Sequence, residues 1–337
     1  MRKSTVFLLI CAMLAALLAG CGGSTPEIHT VREYADDETL HFGNYSYMKY
    51  IDGTVAVTGY DGDAATLNIP AVINGAQVTG IGDAAFAENT SLVSVVLPSG
   101  IESVGDYAFI NCTALSSLAI GKKLYSVGSS AFVGTPWLAA LTDDFVVIGD
   151  GVLIKYQGSG AAVTVPEGIK HISDAFSMNS DIVSIDLPDS LLTIGVSAFS
   201  FCSELRIVRF GSNLRSISNA SFDSCEKLTS LNFPDSLESI GSYAFRDCFF
   251  ISDINFGASL RRIGEYAFSG DMRIKVITLP ATAEVIESYA FRDCYSLSLV
   301  FYGGTEEQFE AIECNSSNYI MTEAERYCNY RGGGNAS

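Results

Sequence analysis

Apolar and polar positions recur along this chain with one fixed spacing, most easily read from the phenylalanine of "IGSYAF". Phe86, Phe109 and Phe132 stand 23 residues apart, as do Phe176, Phe199, Phe222, Phe245, Phe268 and Phe291. Ala precedes the Phe at Ala85, Ala108, Ala131, Ala175, Ala198, Ala244, Ala267 and Ala290, with Ser221 as the exception. The segment "LxxIxL" alternates as a short strand with one buried face does. Pro or Gly then stops it, since Pro cannot donate to a ladder and Gly permits a turn. "SLxxIGxxAF" supplies a second apolar set that turns the chain back. A unit this short cannot bury a core alone, so its copies must stack into a solenoid. With strands about 4.8 Å apart, about ten coils extend roughly 50 Å.

The spacing breaks once. From Phe132 to Phe176 is 44 residues, two short of two periods. Within residues 133–170, "FVVIGDGVLIKY" reads as two apolar strands around a Gly-Asp-Gly turn, so a hairpin is expected to stand in for one coil. Trp137, the only tryptophan, lies just before it.

"IGDAAF", "VGDYAFINCTALSSL" and "IGSYAFRDC", with their period, resemble the leucine-rich repeats of the BspA-like class of bacterial surface proteins. The resemblance runs from Tyr45 to Tyr330. It implies short parallel strands on one face of the solenoid and turns with short irregular or helical segments on the other. The repeat domain is placed at 44–330, with an N-terminal coil at 44–85 and a C-terminal cap at 300–330, followed by a disordered tail at 331–337. Members of this class are typically extracellular, associated with adhesion and binding of host or matrix proteins, and without enzymatic activity.

Three residues after the marker come Cys112, Cys202, Cys225, Cys248 and Cys294, with Asn89, Asn179 and Asp271 in the same place elsewhere. The resemblance makes this the inward Asn/Cys position, where a small polar group bonds the turn backbone and a thiol packs as a small hydrophobe. A nucleophile would need exposure, a partner base and a lowered thiol pKa. A straight column of thiols also fails the tetrahedral geometry of a metal site. The three histidines, His29, His41 and His171, share no ligand spacing. The acidic residues fall at irregular repeat positions rather than as a converging pair. No catalytic residue, metal or cofactor is expected.

The first residues look like an address. Arg2 and Lys3 precede the apolar run "TVFLLICAMLAALL", which is short for a membrane span and ends in "LAGC". This resembles a bacterial lipoprotein signal, with 1–20 removed and Cys21 lipidated. Acyl chains contribute about 0.8 kcal/mol per buried methylene, so more than one chain anchors durably. Residues 21–43, rich in Gly, Ser and acids, read as a flexible tether. Removing the two basic residues of the signal takes the formal charge from −18 to −20. Such acidity excludes nucleic acid and leaves the lipid as the only membrane contact. Seven cysteines follow Cys21, an odd number. Cys314 and Cys328 lie off the ladder and are the one candidate disulfide.

Three places are candidates for a partner. The strand-face coil with Arg206, Ile207 and Arg209 is basic and partly apolar in an acidic protein. The tyrosine column Tyr243, Tyr266 and Tyr289 offers contact area at small entropy cost, though stacked rings also stabilise neighbouring coils. The third is the irregular coil with Trp137. The expectation is a monomeric, exported protein, lipid-anchored at the outer face of the membrane, that binds an extracellular protein or glycan through its strand face. The alternatives are an envelope scaffold without a specific ligand and, more remotely, an enzyme at the hairpin.

Overall fold

The computed structural model describes residues 33–314 and 316–330. The expected signal 1–20, the lipidated Cys21, the tether as far as residue 32 and the tail 331–337 lie outside the described residues.

Each coil contributes to two columns of parallel strands. The long column carries the "LxxIxL" strands, from Thr66–Asn68, Ser94–Val96 and Ser117–Ala119 to Val276–Leu279 and Leu299–Tyr302. The short column carries two-residue strands such as Ser216–Ile217, Ser239–Ile240 and Arg262–Ile263, the last two just before the Gly of "IG". Both keep the repeat register, since Ser216 pairs Ser239 and Asp253 pairs Val276. Parallel strands on a single face were expected; the second column is an addition to that picture.

The third side is a turn that stacks without strand conformation. The residue two before the marker is left-handed at Ala84, Tyr107, Ser130, Ser197, Ala220, Tyr243, Tyr266 and Tyr289, though not at Asp174, which opens the first coil after the break. So is the residue two after the marker, as at Glu88, Asn111, Met178, Phe201, Ser224, Asp247 and Asp293. For side-chain-bearing residues this conformation costs roughly 1–2 kcal/mol each. It is offset by hydrogen bonds to the next coil: Tyr107 N–H to Ser129 O (2.9 Å), Phe109 N–H to Ala131 O (2.7 Å) and Asn111 N–H to Val133 O (2.8 Å). Inside, the marker rings stack face to face, with 4.8 Å between Phe176 and Phe199 and 4.8 Å between Phe199 and Phe222.

The register break is a hairpin of Phe145–Ile148 and Val152–Tyr156, and it belongs to the short column only. Its second strand joins two cores, because Val152 and Ile154 pack into the N-terminal one and Leu153 into the C-terminal one. Tyr156 takes the place of a marker Phe, 4.8 Å from the Phe176 ring. The Asp174 carboxylate accepts from Ser130 N–H (2.6 Å), the donor that elsewhere meets a next-coil carbonyl.

The N-terminal end corrects the tether boundary. Residues 33–43 are not wholly tether, since Leu40–Phe42 pairs antiparallel with Tyr45–Lys49. Tyr34 also stacks on Tyr50 at 5.0 Å. Scattered apolar residues without a period were enough to cover the first coil. At the other end, helices Glu306–Glu310 and Tyr319–Glu323 bury Phe309 and Met321. Strand Glu325–Tyr327 then closes the long column.

Candidate binding surfaces

The long strands turn alternate residues outward, so Ile207 and Arg209 are exposed while Val208 is buried between them. Arg206, just before the strand, is exposed as well. Arg209, however, is engaged by Asp186 one coil earlier (2.5 Å). Of these two arginines only Arg206 has no ion pair among the described residues, so the basic patch is smaller than the sequence implied. The long sheet is also interrupted here, with one sheet ending at Ile207–Arg209 and the next beginning at Leu231–Asn232.

The tyrosine column is continuous. Tyr243 and Tyr266 stack at 5.2 Å, and Tyr266 and Tyr289 at 5.0 Å. The Arg246 guanidinium lies 5.0 Å over Tyr243, and Arg292 lies 5.6 Å over Tyr289. With ring faces spent on one another and on these arginines, the column is mainly a clamp between coils. Arg246 is itself held by Asp223 (2.9 and 2.8 Å).

At the break, Trp137 packs edge-on against Phe132 at 5.0 Å, and its backbone N–H meets Leu115 O (2.9 Å). The half-buried ring closes the N-terminal aromatic stack. Beside it is an open apolar depression of about 430 Å³, lined by Val133 to Pro136, Leu138, Ala139 and Lys155.

The five ladder cysteines are buried, in the inward position that the resemblance implied. The thiols of Cys112, Cys202, Cys225, Cys248 and Cys294 donate to the marker carbonyls one coil back, at 3.0 to 3.3 Å. Burial pushes the thiols of Cys112, Cys225, Cys248 and Cys294 up, which removes nucleophilic character. Asn89 and Asn179 instead accept from backbone N–H groups of their own turns (3.0 to 3.1 Å). The expected Cys314–Cys328 disulfide is not formed. The two residues belong to the ends of different columns, and Cys328 donates to Glu306 (2.9 Å). Among the described residues no group of three His, Cys, Asp or Glu side chains could hold a metal.

One surface went unread in the sequence. Four and five residues after the marker, the earlier coils away from the break carry small or charged residues: Thr90 and Ser91, Ser180 and Asp181, Ser203 and Glu204, Glu226 and Lys227, while the coil entering the break carries Pro136 and Trp137. The last three coils carry Phe249 and Phe250, Met272 and Arg273, and Tyr295. The repeat register aligns Phe249, Met272 and Tyr295 in one row. They are 37%, 50% and 67% exposed, with Phe250 beside them at 44%. The signal was available in the change of residue type down that column.

The family model for a BspA type leucine rich repeat region, six copies long, matches residues 65–153 and 160–298. The chain belongs to the BspA-type leucine-rich repeat family. Solenoids of this family are typically non-catalytic. Among solved structures, a leucine rich cell surface protein from Faecalibacterium prausnitzii A2-165 is 24% identical. That match covers 82% of this chain and 98% of the other, with a TM-score of 0.35. The T. pallidum leucine rich repeat protein is 19% identical over 86% of this chain and 98% of its own (TM-score 0.30). The pneumococcal vaccine antigen PcpA is 17% identical over 79% and 82% (TM-score 0.27). No curated protein matches the chain. Among the described residues of this BspA-type protein, no helix is long and apolar enough to cross a membrane.

Proposed function

We propose that this BspA-type repeat protein is a non-catalytic, monomeric binding protein of the cell surface, anchored through a lipid on Cys21, that recognises an extracellular protein or glycan. The observation that carries the reading is the row Phe249, Met272 and Tyr295 with Phe250, large apolar side chains left in solvent where the fold does not use them. Contiguous exposed apolar groups of this kind mark contact sites. Location rests on the "LAGC" segment and on the surface proteins of the family.

The test immobilises the full chain against extracellular matrix proteins and envelope extract. Two variants run beside it, Phe250→Glu/Met272→Glu and Arg206→Glu/Arg209→Glu, each checked for unchanged thermal unfolding. Loss of a captured partner in the first variant alone supports recognition through the aromatic row. Loss in the second alone returns the contact to the strand face. Capture of nothing by the parent leaves the scaffold role. Anchoring is read separately, as incorporation of a labelled fatty acid that Cys21→Ser abolishes.

A further inference from the structure

We propose that the aromatic row and two cations beside it form a docking surface for an acidic protein segment that also carries apolar side chains. The proposal rests on the binding reading above and names the partner's chemistry. Arg273 lies 4.1 Å over the Phe250 ring, fixing ring and guanidinium together across two coils. Arg273 has no ion pair among the described residues, and neither does Lys275 on the adjoining long-column face. Their neighbours in the same array are engaged: Arg209 with Asp186, Lys227 with Glu204, Arg246 with Asp223 and Arg261 with Glu284. In a chain of formal charge −18, carboxylates are abundant, yet these two cations sit without one beside exposed Phe, Met and Tyr.

That composition is the one enriched at the centres of protein interfaces, where Phe, Tyr, Met and Arg anchor contacts. A glycan fits less well. Sugar rings favour open aromatic faces beside polar groups, whereas the Phe250 face is covered by Arg273 and the outer row is Phe-Met-Tyr. Three coils about 4.8 Å apart present the row over about 10 Å, the reach of three or four extended residues at about 3.3 Å each. Carboxylates on such a segment would meet Arg273 and Lys275 while its apolar residues cover Phe249, Met272 and Tyr295.

The test measures fluorescence anisotropy of two labelled peptides against the full chain. Both alternate Leu and Trp with a charged residue, Glu in one and Lys in the other. The expected result is at least tenfold tighter binding of the Glu peptide, weakened by salt. Phe249→Ala/Met272→Ala should abolish it, and Arg273→Glu/Lys275→Glu should reverse the preference, with thermal unfolding unchanged in both. Equal binding of the two peptides, lost in the apolar variant, would overturn the acidic partner but keep the row as a contact site. No binding of either peptide would overturn the docking surface itself, even if partner capture by the full chain persists. A heparin oligosaccharide that binds more tightly than the Glu peptide and is lost in the same variants would overturn it in favour of an anionic glycan.

Discussion

Asp271 occupies the ladder position that holds a thiol in the coils on either side, and it is fully buried. Its Oδ1 accepts from Cys248 N–H (2.7 Å), while Oδ2 has no hydrogen-bond partner. Burial pushes the carboxyl well above its usual range and Asp247 adds to this, opposed in part by the Cys248 N–H. The folded chain therefore holds a proton that the unfolded chain releases. The stability this proton contributes is fully present below the unfolded pKa and is lost as pH rises through the folded one. Within that window the loss is about 1.4 kcal/mol per pH unit. The perturbation is Asp271→Asn, which keeps an acceptor for Cys248 N–H but cannot ionise. By the 26-residue offset of the ladder, its amide would donate toward the Phe245 carbonyl, as the Cys248 thiol donates to Phe222.

The assay is local, because a stack of repeats need not unfold as one unit. Buried Cys248 and Cys294 react with a thiol reagent only when the surrounding coils open. The thiolate fraction changes with pH identically in both proteins, so the ratio of labelling rates at each pH isolates the opening equilibrium. Asp271→Asn should label progressively more slowly than the parent as pH rises from 5 to 8, by about tenfold for each 1.4 kcal/mol. A ratio independent of pH, or one moving the other way, would show that the folded state does not hold this carboxyl as the neutral acid.

Phe222→Ala removes a ring stacked on both sides and should cost about 3–5 kcal/mol, read as a lower urea midpoint. Asp174→Ala leaves Ser130 N–H without its acceptor at the break and should cost about 1–3 kcal/mol. Trp137 emission should report that loss at a lower denaturant concentration than far-UV circular dichroism. Tyr266→Ala should weaken the array by about 1 kcal/mol through lost stacking. Tyr266→Gly should recover part of this, because glycine adopts the left-handed conformation without strain. Both Tyr266 variants should retain partner binding if the column is a clamp.

The long column was legible because its strands bury alternate residues with a fixed period, and the marker spacing located every regular coil. The short column escaped because a two-residue strand has no room to show alternation. The left-handed turn positions were hidden for a different reason. Glu88, Met178 and Phe201 have no propensity for that conformation; inter-coil hydrogen bonds impose it, and these exist only in the stacked state. The Cys314–Cys328 expectation came from position outside the ladder, which does not encode distance. Arg209 was read as available because its partner, Asp186, is close only once the coils are in register.

The interruptions of the stack show how much of the chain is committed to stacking. Where the next coil is missing, side chains take over as acceptors. Asp174 serves Ser130 N–H at the hairpin, and at the C-terminal end Ser317 serves Tyr289 N–H (2.8 Å) while Asn318 serves Phe291 N–H (3.3 Å). An unpaired buried donor costs about 1–3 kcal/mol, so these substitutions follow from the backbone of the turn column. Nothing comparable constrains the positions four and five after the marker, where serine, threonine, aspartate, glutamate and lysine all serve in other coils. Replacing Phe249 and Phe250 with the Ser203 and Glu204 types should therefore change stability by no more than about 0.5 kcal/mol at Phe249 and by no more than about 1 kcal/mol at Phe250, where the contact with Arg273 is lost. A larger loss in urea unfolding would mean that the aromatic row belongs to the fold. If stability is unchanged while binding is lost, folding gives no reason for those rings, and contact with a partner does.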